Sequence, residues 1–205
     1  FIWKLKLKLF SVKKKNFSIN KKNNIQKRFD YQFKTGFWDY LYNLDELAHY
    51  SVIVGYCYYW KSNPTILDVG CGQGILHEKL NIGSYSSYKG IDISSEAILQ
   101  AAHKIDDNTD FQVANILDFR TKKLFDIIIF CESLYYLDSI NEISNVIDIY
   151  TQLLEVNGKI IISQFNTNIV NKIWKELDME LILIDQVEVT NRFNLKSTIK
   201  VYDAP

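Results

Sequence analysis

Three glycines and an aspartate stand together in the segment Asp68-Val69-Gly70-Cys71-Gly72-Gln73-Gly74. Only eight glycines occur in the 205 residues, so three within five positions mark an unusual stretch of backbone. Glycine adopts left-handed conformations at no steric cost and lets a ligand lie close to the main chain. The segment falls between a predicted strand and a predicted helix, and the first turn of that helix offers free N–H groups. It therefore predicts a ligand-binding loop, with a tight turn that binds nothing as the alternative.

The carboxylate of Asp68 indicates the kind of ligand. A dinucleotide fingerprint has the spacing G-x-G-x-x-G, whereas the third glycine comes one position earlier here. An anion beside a pyrophosphate is repelled, and an anion beside an ammonium or a sulfonium is attracted. S-adenosylmethionine carries both of these cations and no phosphate. The loop therefore favours S-adenosylmethionine over a nicotinamide dinucleotide.

A second acid, Asp92, ends the next predicted strand 24 residues after Asp68. An acid about 20 residues beyond the first loop is where such folds bind a ribose diol, because a carboxylate accepts both hydroxyl protons. The alternative is a structural acid that pairs with Ser94, the predicted N-cap of the following helix. The two roles are compatible.

Strand-like and helical patterns alternate along the chain from residue 65 onward. A short apolar run precedes the glycine loop, and Phe125–Phe130 is apolar at nearly every position, as a buried parallel strand should be. The turn Asn157-Gly158 is expected to precede a strand that begins at Lys159. No helix separates the last two strand-like segments, 180–189 and 197–202. The pattern predicts an α/β, Rossmann-like, seven-stranded, mostly parallel sheet with an antiparallel C-terminal hairpin and helices on both faces.

Charge and aromatic residues divide the chain into three parts. Residues 1–34 contain eleven Lys or Arg and one acid, while the remainder is net acidic. We expect residues 1–29 to be a basic, poorly ordered extension, 30–63 an aromatic helical cap and 64–205 the core. Contact of the extension with nucleic acid or a membrane surface is the functional alternative. The acidic body argues against nucleic acid as the main substrate.

Composition disfavours several other classes. The three cysteines include no C-x-x-C pair, which argues against a disulfide scaffold or a cysteine zinc site and favours a reducing, cytoplasmic location. No apolar run is long enough to predict a transmembrane helix. No group of Asp, Glu or His has the spacing of metal ligands, so no metal is expected.

Four successive motifs resemble those of class I S-adenosylmethionine-dependent methyltransferases. They are ILDVGCGQG, YKGIDIS, FQVANILDF and FDIIIFCESLYYL, in the family's order and spacing. The preceding segments Gly36–Leu41 (GFWDYL) and Glu46–Tyr50 are similar to a bacterial small-molecule group related to nodulation-type N-methyltransferases. The resemblance implies transfer of a methyl group to an oxygen or nitrogen of a small molecule, such as a sugar or a natural-product intermediate. A non-catalytic binding module and a macromolecular substrate are the alternatives.

The resemblance also implies a cofactor site. Asp68 and the loop glycines would hold the methionine portion, Asp92 the ribose, and Ile93 the adenine face. Asn115 and Ile116 match the pair that contacts the adenine edge, where Asp is commoner than Asn. Cys131 and Glu132 follow the fourth strand, where the family faces the transferred methyl group. The predicted cofactor-binding residues are Asp68, Gly70, Cys71, Gly72, Gly74, Asp92, Ile93, Asn115, Ile116 and Cys131.

Catalysis of methyl transfer requires position more than covalent chemistry, since the cofactor supplies the activated methyl group. Glu132 and His49 are the candidate general bases. Tyr135 is expected to form part of an aromatic wall that stabilises a sulfonium, as are Tyr136, Trp38 and Tyr50. Structural packing is the alternative for each of these residues. His77 and His103 are expected at exposed helix positions, and the thiols of Cys71 and Cys131 are expected to be buried and unreactive.

Overall fold

The computed structural model describes residues 21–81 and 83–205. Within this part of the chain, seven strands form one sheet. They are β1 Thr65–Val69, β2 Ser87–Asp92, β3 Thr109–Val113, β4 Phe125–Cys131, β5 Leu154–Phe165, β6 Ile182–Thr190 and β7 Lys196–Asp203. Their order in the sheet is β3-β2-β1-β4-β5-β7-β6. The first five strands are parallel, and β7 runs antiparallel to both of its neighbours, β5 and β6. This confirms the predicted mostly parallel sheet with an antiparallel hairpin at its edge.

Helices cover both faces of the sheet, as predicted. Ser94, Ser139 and Thr167 each cap a helix by accepting a backbone N–H with the side-chain hydroxyl. Short 3-10 turns lie at Asp39–Tyr42, Ala102–Lys104 and Leu134–Tyr136. The α-helices are α1 Lys21–Lys34, α2 Leu44–Trp60, α3 Ile75–Lys79, α4 Ser95–Ala101, α5 Ile140–Thr151 and α6 Asn168–Glu180.

Alternate residues of β4 face two separate apolar cores. Ile128 and Phe130 pack with residues of α5 and α6, such as Val146 and Leu177. Ile127 and Ile129 belong to the opposite core, which contains residues of α2 and α3. Burial on both faces explains why β4 is apolar at nearly every position. Both faces of the sheet are thereby covered, and the carboxyl ends of its parallel strands lie at one edge.

The predicted start of β5 at Lys159 is wrong. The strand begins at Leu154 and continues through the expected turn residues. Asn157 adopts a positive φ of 65°, and the pairing of β4 with β5 shifts between Phe125 and Ile127. Asn157 and Gly158 therefore form an irregularity inside a longer strand rather than a turn before it.

The first described helix, α1, is Lys21–Lys34, so the boundary drawn after residue 29 falls inside a helix. Phe29 and Phe33 on this helix are buried. Asp30 fastens α1 to the start of α4, because its Oδ1 accepts hydrogen bonds from Ser94 Oγ at 2.7 Å and from Glu96 N at 3.2 Å. The remainder of the expected basic extension, residues 1–20, lies outside the described residues.

The predicted exposure of His77 is wrong. Its imidazole is buried, and its Nε2 lies 2.8 Å from the Tyr85 hydroxyl and 3.0 Å from Thr109 Oγ1. Burial lowers the pKa of His77 below its usual value. No helix among residues 21–81 and 83–205 is long and apolar enough to cross a membrane.

Candidate functional site

A cavity of about 390 Å³ lies at the carboxyl ends of β1, β2 and β4. This is the edge of an open α/β sheet at which ligands bind. The glycine loop and the ends of the strands form the floor, and side chains of α1, the 3-10 turn Asp39–Tyr42 and α2 form the roof. The predicted site residues that line it are Asp68, Gly70, Cys71, Gly72, Asp92, Ile93, Asn115, Ile116, Cys131, Glu132 and Tyr135.

The glycine loop requires its glycines. Gly70, Gly72 and Gly74 have φ values of 81°, 54° and 75°, in the left-handed region. The N–H groups of Gly70 and Cys71 both donate to the carbonyl oxygen of Ile91, which ties the loop to β2. A Cβ at Gly70 would lie 2.6 Å from Ser133 Cβ, so the close approach of the two loops requires glycine there. Gly74 lies at the start of α3 and, unlike the other two glycines, is not part of the cavity wall.

Asp68 brings a buried carboxylate to the cavity. Its Oδ2 accepts a hydrogen bond from the Tyr88 hydroxyl at 2.5 Å, whereas its Oδ1 is buried and has no hydrogen-bond partner among the described residues. Burial raises the pKa of Asp68 to about 7, although the hydrogen bond from Tyr88 lowers it. An unsatisfied buried carboxylate oxygen is costly unless a ligand satisfies it. The ammonium of S-adenosylmethionine fits this requirement.

Asp92 organises the loop as well as the cavity. Its Oδ2 accepts the Gly72 N–H at 2.9 Å, and its Oδ1 accepts the Ser94 N–H at 2.8 Å. Burial raises the pKa of Asp92 to about 6, while these hydrogen bonds lower it. Each oxygen keeps a second lone pair that a ribose hydroxyl can use. Asp92 can therefore hold the glycine loop and the start of α4 in place and still bind a ribose.

The predicted adenine contacts lie beside Asp92. Asn115 Oδ1 accepts the Leu117 N–H at 2.8 Å, so the amide oxygen expected to face adenine also holds its own turn. The carbonyl oxygen of Ile116 accepts the Tyr150 hydroxyl at 3.1 Å. These contacts fix both residues at the cavity wall.

Three polar side chains at the cavity were not predicted to hydrogen-bond with the cofactor, although Trp38 was expected in the aromatic wall beside the sulfonium. The amide nitrogen of Gln73, the indole nitrogen of Trp38 and the hydroxyl of Ser133 are buried without hydrogen-bond partners among the described residues. The two nitrogens are donors that suit a carboxylate, such as that of an amino-acid ligand. The position of Gln73 between two loop glycines was the sequence signal for its role.

Glu132 is held in a strained conformation after β4. Its φ is 56°, which is rare for a residue with a long side chain. Its N–H donates to the Ser163 carbonyl oxygen at 2.8 Å, and its carboxylate accepts the Phe165 N–H at 2.8 Å and Ser163 Oγ at 3.3 Å. Backbone strain that the surroundings maintain is common at functional sites.

Of the other two predicted catalytic residues, Tyr135 lies on the cavity wall and His49 does not. Tyr135 lines the cavity with its ring 4.6 Å from that of Tyr136, and burial raises its pKa well above the usual value, so its hydroxyl stays protonated. His49 is buried, with its ring 4.2 Å from that of Tyr50 and its Nδ1 3.7 Å from Glu46 Oε2. Glu46 and Tyr50 line the cavity, whereas His49 is not part of its wall.

Cys71 and Cys131 both line the cavity, and Cys71 is buried as predicted, whereas Cys131 is only half-buried at the end of β4. Burial raises the pKa of Cys71 well above the usual thiol value, which makes it a poor nucleophile. Within the two described ranges, no group of three or more His, Cys, Asp or Glu side chains is arranged to hold a metal ion.

A family model described as a methyltransferase domain matches residues 60–198. The chain belongs to this methyltransferase family. The match spans the glycine loop, strands β1 to β6 and the start of β7. It confirms the family that the four motifs indicated.

Two curated proteins illustrate the relatives of this methyltransferase domain. It is 31% identical over 125 residues to the ubiquinone biosynthesis O-methyltransferase of Pelagibacter ubique, covering 59% of this chain and 50% of that protein. It is 30% identical over 98 residues to nodulation protein S of Sinorhizobium fredii, covering 46% of this chain and 44% of that protein. The chain thus spans half or less of the length of these curated relatives.

A solved structure shares the fold over most of both chains. The N-methyltransferase NodS of Bradyrhizobium japonicum, in complex with S-adenosyl-L-homocysteine, superposes with a TM-score of 0.74. The two are 19% identical, and the match covers 86% of this chain and 98% of that one. This confirms the predicted Rossmann-like architecture of the methyltransferase domain.

Proposed function

We propose that this chain transfers a methyl group from S-adenosylmethionine to an oxygen or nitrogen of a small molecule. The observation that carries the proposal is the buried, unsatisfied Oδ1 of Asp68 in a cavity that continues past the glycine loop to Glu132. One end of the cavity suits a cationic cofactor, and the other leaves room for an acceptor.

Each residue around the glycine loop binds a different part of the cofactor. Asp68 Oδ1 accepts a hydrogen bond from the ammonium, and the N–H donors of Gln73 and Trp38 bind the carboxylate. Asp92 accepts the ribose hydroxyls, while Ile93 and Ile116 provide apolar contact for adenine. With the cofactor bound in this way, Asp68 Oδ1, the Gln73 amide nitrogen and the Trp38 indole nitrogen all have hydrogen-bond partners.

The remaining residues orient the acceptor and exclude water. Once bound, S-adenosylmethionine supplies a methyl group activated by its sulfonium. The rings of Tyr50, Tyr135 and Tyr136 form an electron-rich wall that stabilises a cation. Glu132 holds the acceptor and takes a proton from it when one must be lost. Holding the two reactants in line contributes on the order of 7–11 kcal/mol to such a step.

The relatives support an acceptor of small size. One is named for ubiquinone biosynthesis and another for nodulation, and the solved relative is an N-methyltransferase. Together they leave both oxygen and nitrogen as candidate acceptor atoms.

Calorimetric titration of the full chain with S-adenosylhomocysteine and with NAD tests the cofactor assignment. We expect saturable binding of the first compound only. Transfer of a radiolabelled methyl group from S-adenosylmethionine to a small-molecule metabolite extract then tests turnover. Binding of NAD alone would contradict the cofactor assignment, and binding of S-adenosylhomocysteine without any transfer would favour a non-catalytic binding module.

A further inference from the structure

Every charged side chain on the cavity wall is acidic. Among residues 21–81 and 83–205, no Lys, Arg or His lines the cavity. Such a wall attracts cations and repels anions. The acids are Glu46, Asp68, Asp92, Glu132, Asp138 and Glu142.

Three of these acids have other tasks, and a fourth, Asp138, is exposed at the rim of the cavity. Asp68 and Asp92 belong to the cofactor end of the cavity. Glu142 lies in the first turn of α5, where its Oε2 accepts the Asp138 N–H at 2.8 Å and its own N–H donates to Ser139 Oγ. This is a helix-capping arrangement at the rim. Glu46 and Glu132 are the acids of the acceptor end; the Glu132 carboxylate also accepts the Phe165 N–H and Ser163 Oγ, and Glu46 Oε2 lies 3.7 Å from His49 Nδ1.

Glu46 and Glu132 reach that end from different parts of the chain and influence the same two phenols. Glu46 is 2% exposed and lies in the first turn of α2, whereas Glu132 follows β4. Burial raises the pKa of Tyr40 and of Tyr50, and the charges of both glutamates raise them further. Two carboxylates and two protonated phenols thus share one pocket, which we call the acceptor pocket.

This chemistry discriminates between acceptor classes. A carboxylate, a phosphate or a phenolate entering the acceptor pocket meets two negative charges and, among the described residues, no cation on the wall itself. Arg28 lies behind the wall, where its charge partly offsets the rise that burial causes in the pKa of Tyr136. An ammonium gains ion pairs with both glutamates and also contacts the faces of the tyrosine rings. The apolar side chains of Leu41, Leu137 and Phe165 in the same wall suit an acceptor with an apolar body.

Building on the proposed methyltransferase function, we propose that the acceptor is a small amine, held as an ammonium by Glu46 and Glu132. The ammonium first gives one proton to the Glu132 carboxylate. The freed nitrogen lone pair then forms an N–C bond to the methyl carbon while the C–S bond breaks and its electron pair stays on sulfur. The positive charge of the sulfonium passes to the N-methylammonium product, and the proton on Glu132 returns to solvent.

The test uses three probes of similar size and different charge: benzylamine, 4-methylphenol and benzoate. Each is titrated calorimetrically into the full chain saturated with S-adenosylhomocysteine. We expect benzylamine to bind at least tenfold more tightly than either of the others. Glu132→Gln keeps an oxygen for the Phe165 N–H but removes the charge, and it should weaken benzylamine binding about tenfold. Glu46→Gln should do the same, so the test does not depend on one variant folding correctly.

Glu155→Gln provides the matched control, because Glu155 is exposed at the opposite end of β5 from the cavity. It should leave benzylamine binding unchanged. Tighter binding of benzoate or 4-methylphenol, binding of none of the three probes, or unchanged benzylamine affinity in both glutamine variants would overturn the amine assignment. The saturation step with S-adenosylhomocysteine separates the two proposals: if this compound does not bind, the cofactor assignment fails, and if it binds while benzylamine does not, only the amine assignment fails.

Discussion

The cofactor end and the acceptor pocket of this cavity are built in different ways. The cofactor end comes mainly from the continuous segment 68–93, in which β1, the glycine loop and β2 follow one another. The acceptor pocket is assembled from the 3-10 turn Asp39–Tyr42, α2, the loop after β4 and the end of β5. A local motif therefore encodes the first, and only the folded sheet and its covering helices create the second. Changes at the cofactor end should accordingly weaken cofactor binding strongly, whereas changes in the covering elements should weaken it only slightly.

The largest effect is expected from Gly70→Ala. The new Cβ would meet Ser133 Cβ at 2.6 Å and would push the glycine loop away from the loop after β4. Strain of this kind typically costs 1–3 kcal/mol, in addition to about 1 kcal/mol for a left-handed alanine. We expect the affinity for S-adenosylhomocysteine, measured by calorimetry, to fall on the order of 100-fold.

Gly83→Ala is the control, because Gly83 has a φ of 80° and nothing within 4 Å of its added Cβ. In a thermal melt this variant should lose a similar amount of stability through its left-handed alanine. Its affinity for S-adenosylhomocysteine should be unchanged. Equal affinity losses in both variants would show that the close approach of the two loops does not matter.

Asp68→Asn is expected to have the next largest effect. It keeps the size of the side chain but removes the charge that faces the ammonium. Loss of a charged hydrogen-bond partner costs about 1.5–3 kcal/mol, so the affinity for S-adenosylhomocysteine should fall by roughly 10- to 100-fold. Asp110→Asn, at a side chain that is 64% exposed, should leave the affinity unchanged. An unchanged affinity in Asp68→Asn would remove the cation-binding role from the cofactor end.

The affinity for S-adenosylhomocysteine should also depend on pH, with a change of about tenfold, because Asp68 must be ionised to attract the ammonium. The pKa of Asp68 is raised from 3.8 to about 7, so folding takes up a proton between these values and the ligand-free protein loses stability as the pH rises through this range. An ammonium ligand favours the ionised form, so affinity should rise between pH 6 and pH 7.5. Calorimetry of the wild type and of Asp68→Asn checks this, and the variant should show a flatter profile. An affinity that falls with rising pH would contradict the assignment.

Asp30→Ala should have the smallest effect and tests the covering elements. It removes the carboxylate that joins α1 to the first turn of α4. Loss of such a cap costs about 1 kcal/mol, measurable in a thermal melt. Cofactor affinity should fall only about threefold, because the glycine loop itself remains intact. A loss as large as that of Asp68→Asn would mean that α1 is an integral part of the cofactor end.

Local patterns predicted the sheet, the loop and the positions of Asp68 and Asp92, because each depends on a short stretch of sequence. Long-range contacts explain why the exposure of His77 and the role of His49 could not be predicted from the sequence. His77 is buried through Tyr85 and Thr109, and the latter is 32 residues away. His49 occupies the same helix face as Glu46 and Tyr50 in sequence, but the packing of α2 brings only its two neighbours to the cavity.

The composition of the basic segment did not predict α1. Residues 1–34 are rich in Lys and Asn, which is typical of a solvated extension, but Ile25, Phe29 and Phe33 recur every four residues and so lie on one helical face. All three line the cavity. The four-residue periodicity inside the basic segment, rather than its charge, is therefore the signal that predicts this helix.

A crystal structure of the full chain with S-adenosylhomocysteine tests the central claim most directly. We predict that the α-amino nitrogen lies about 2.7–3.2 Å from Asp68 Oδ1, with the ribose hydroxyls on Asp92. An amino group placed elsewhere, with Asp68 Oδ1 still lacking a partner, would contradict the cation-binding role of this carboxylate and the function built on it.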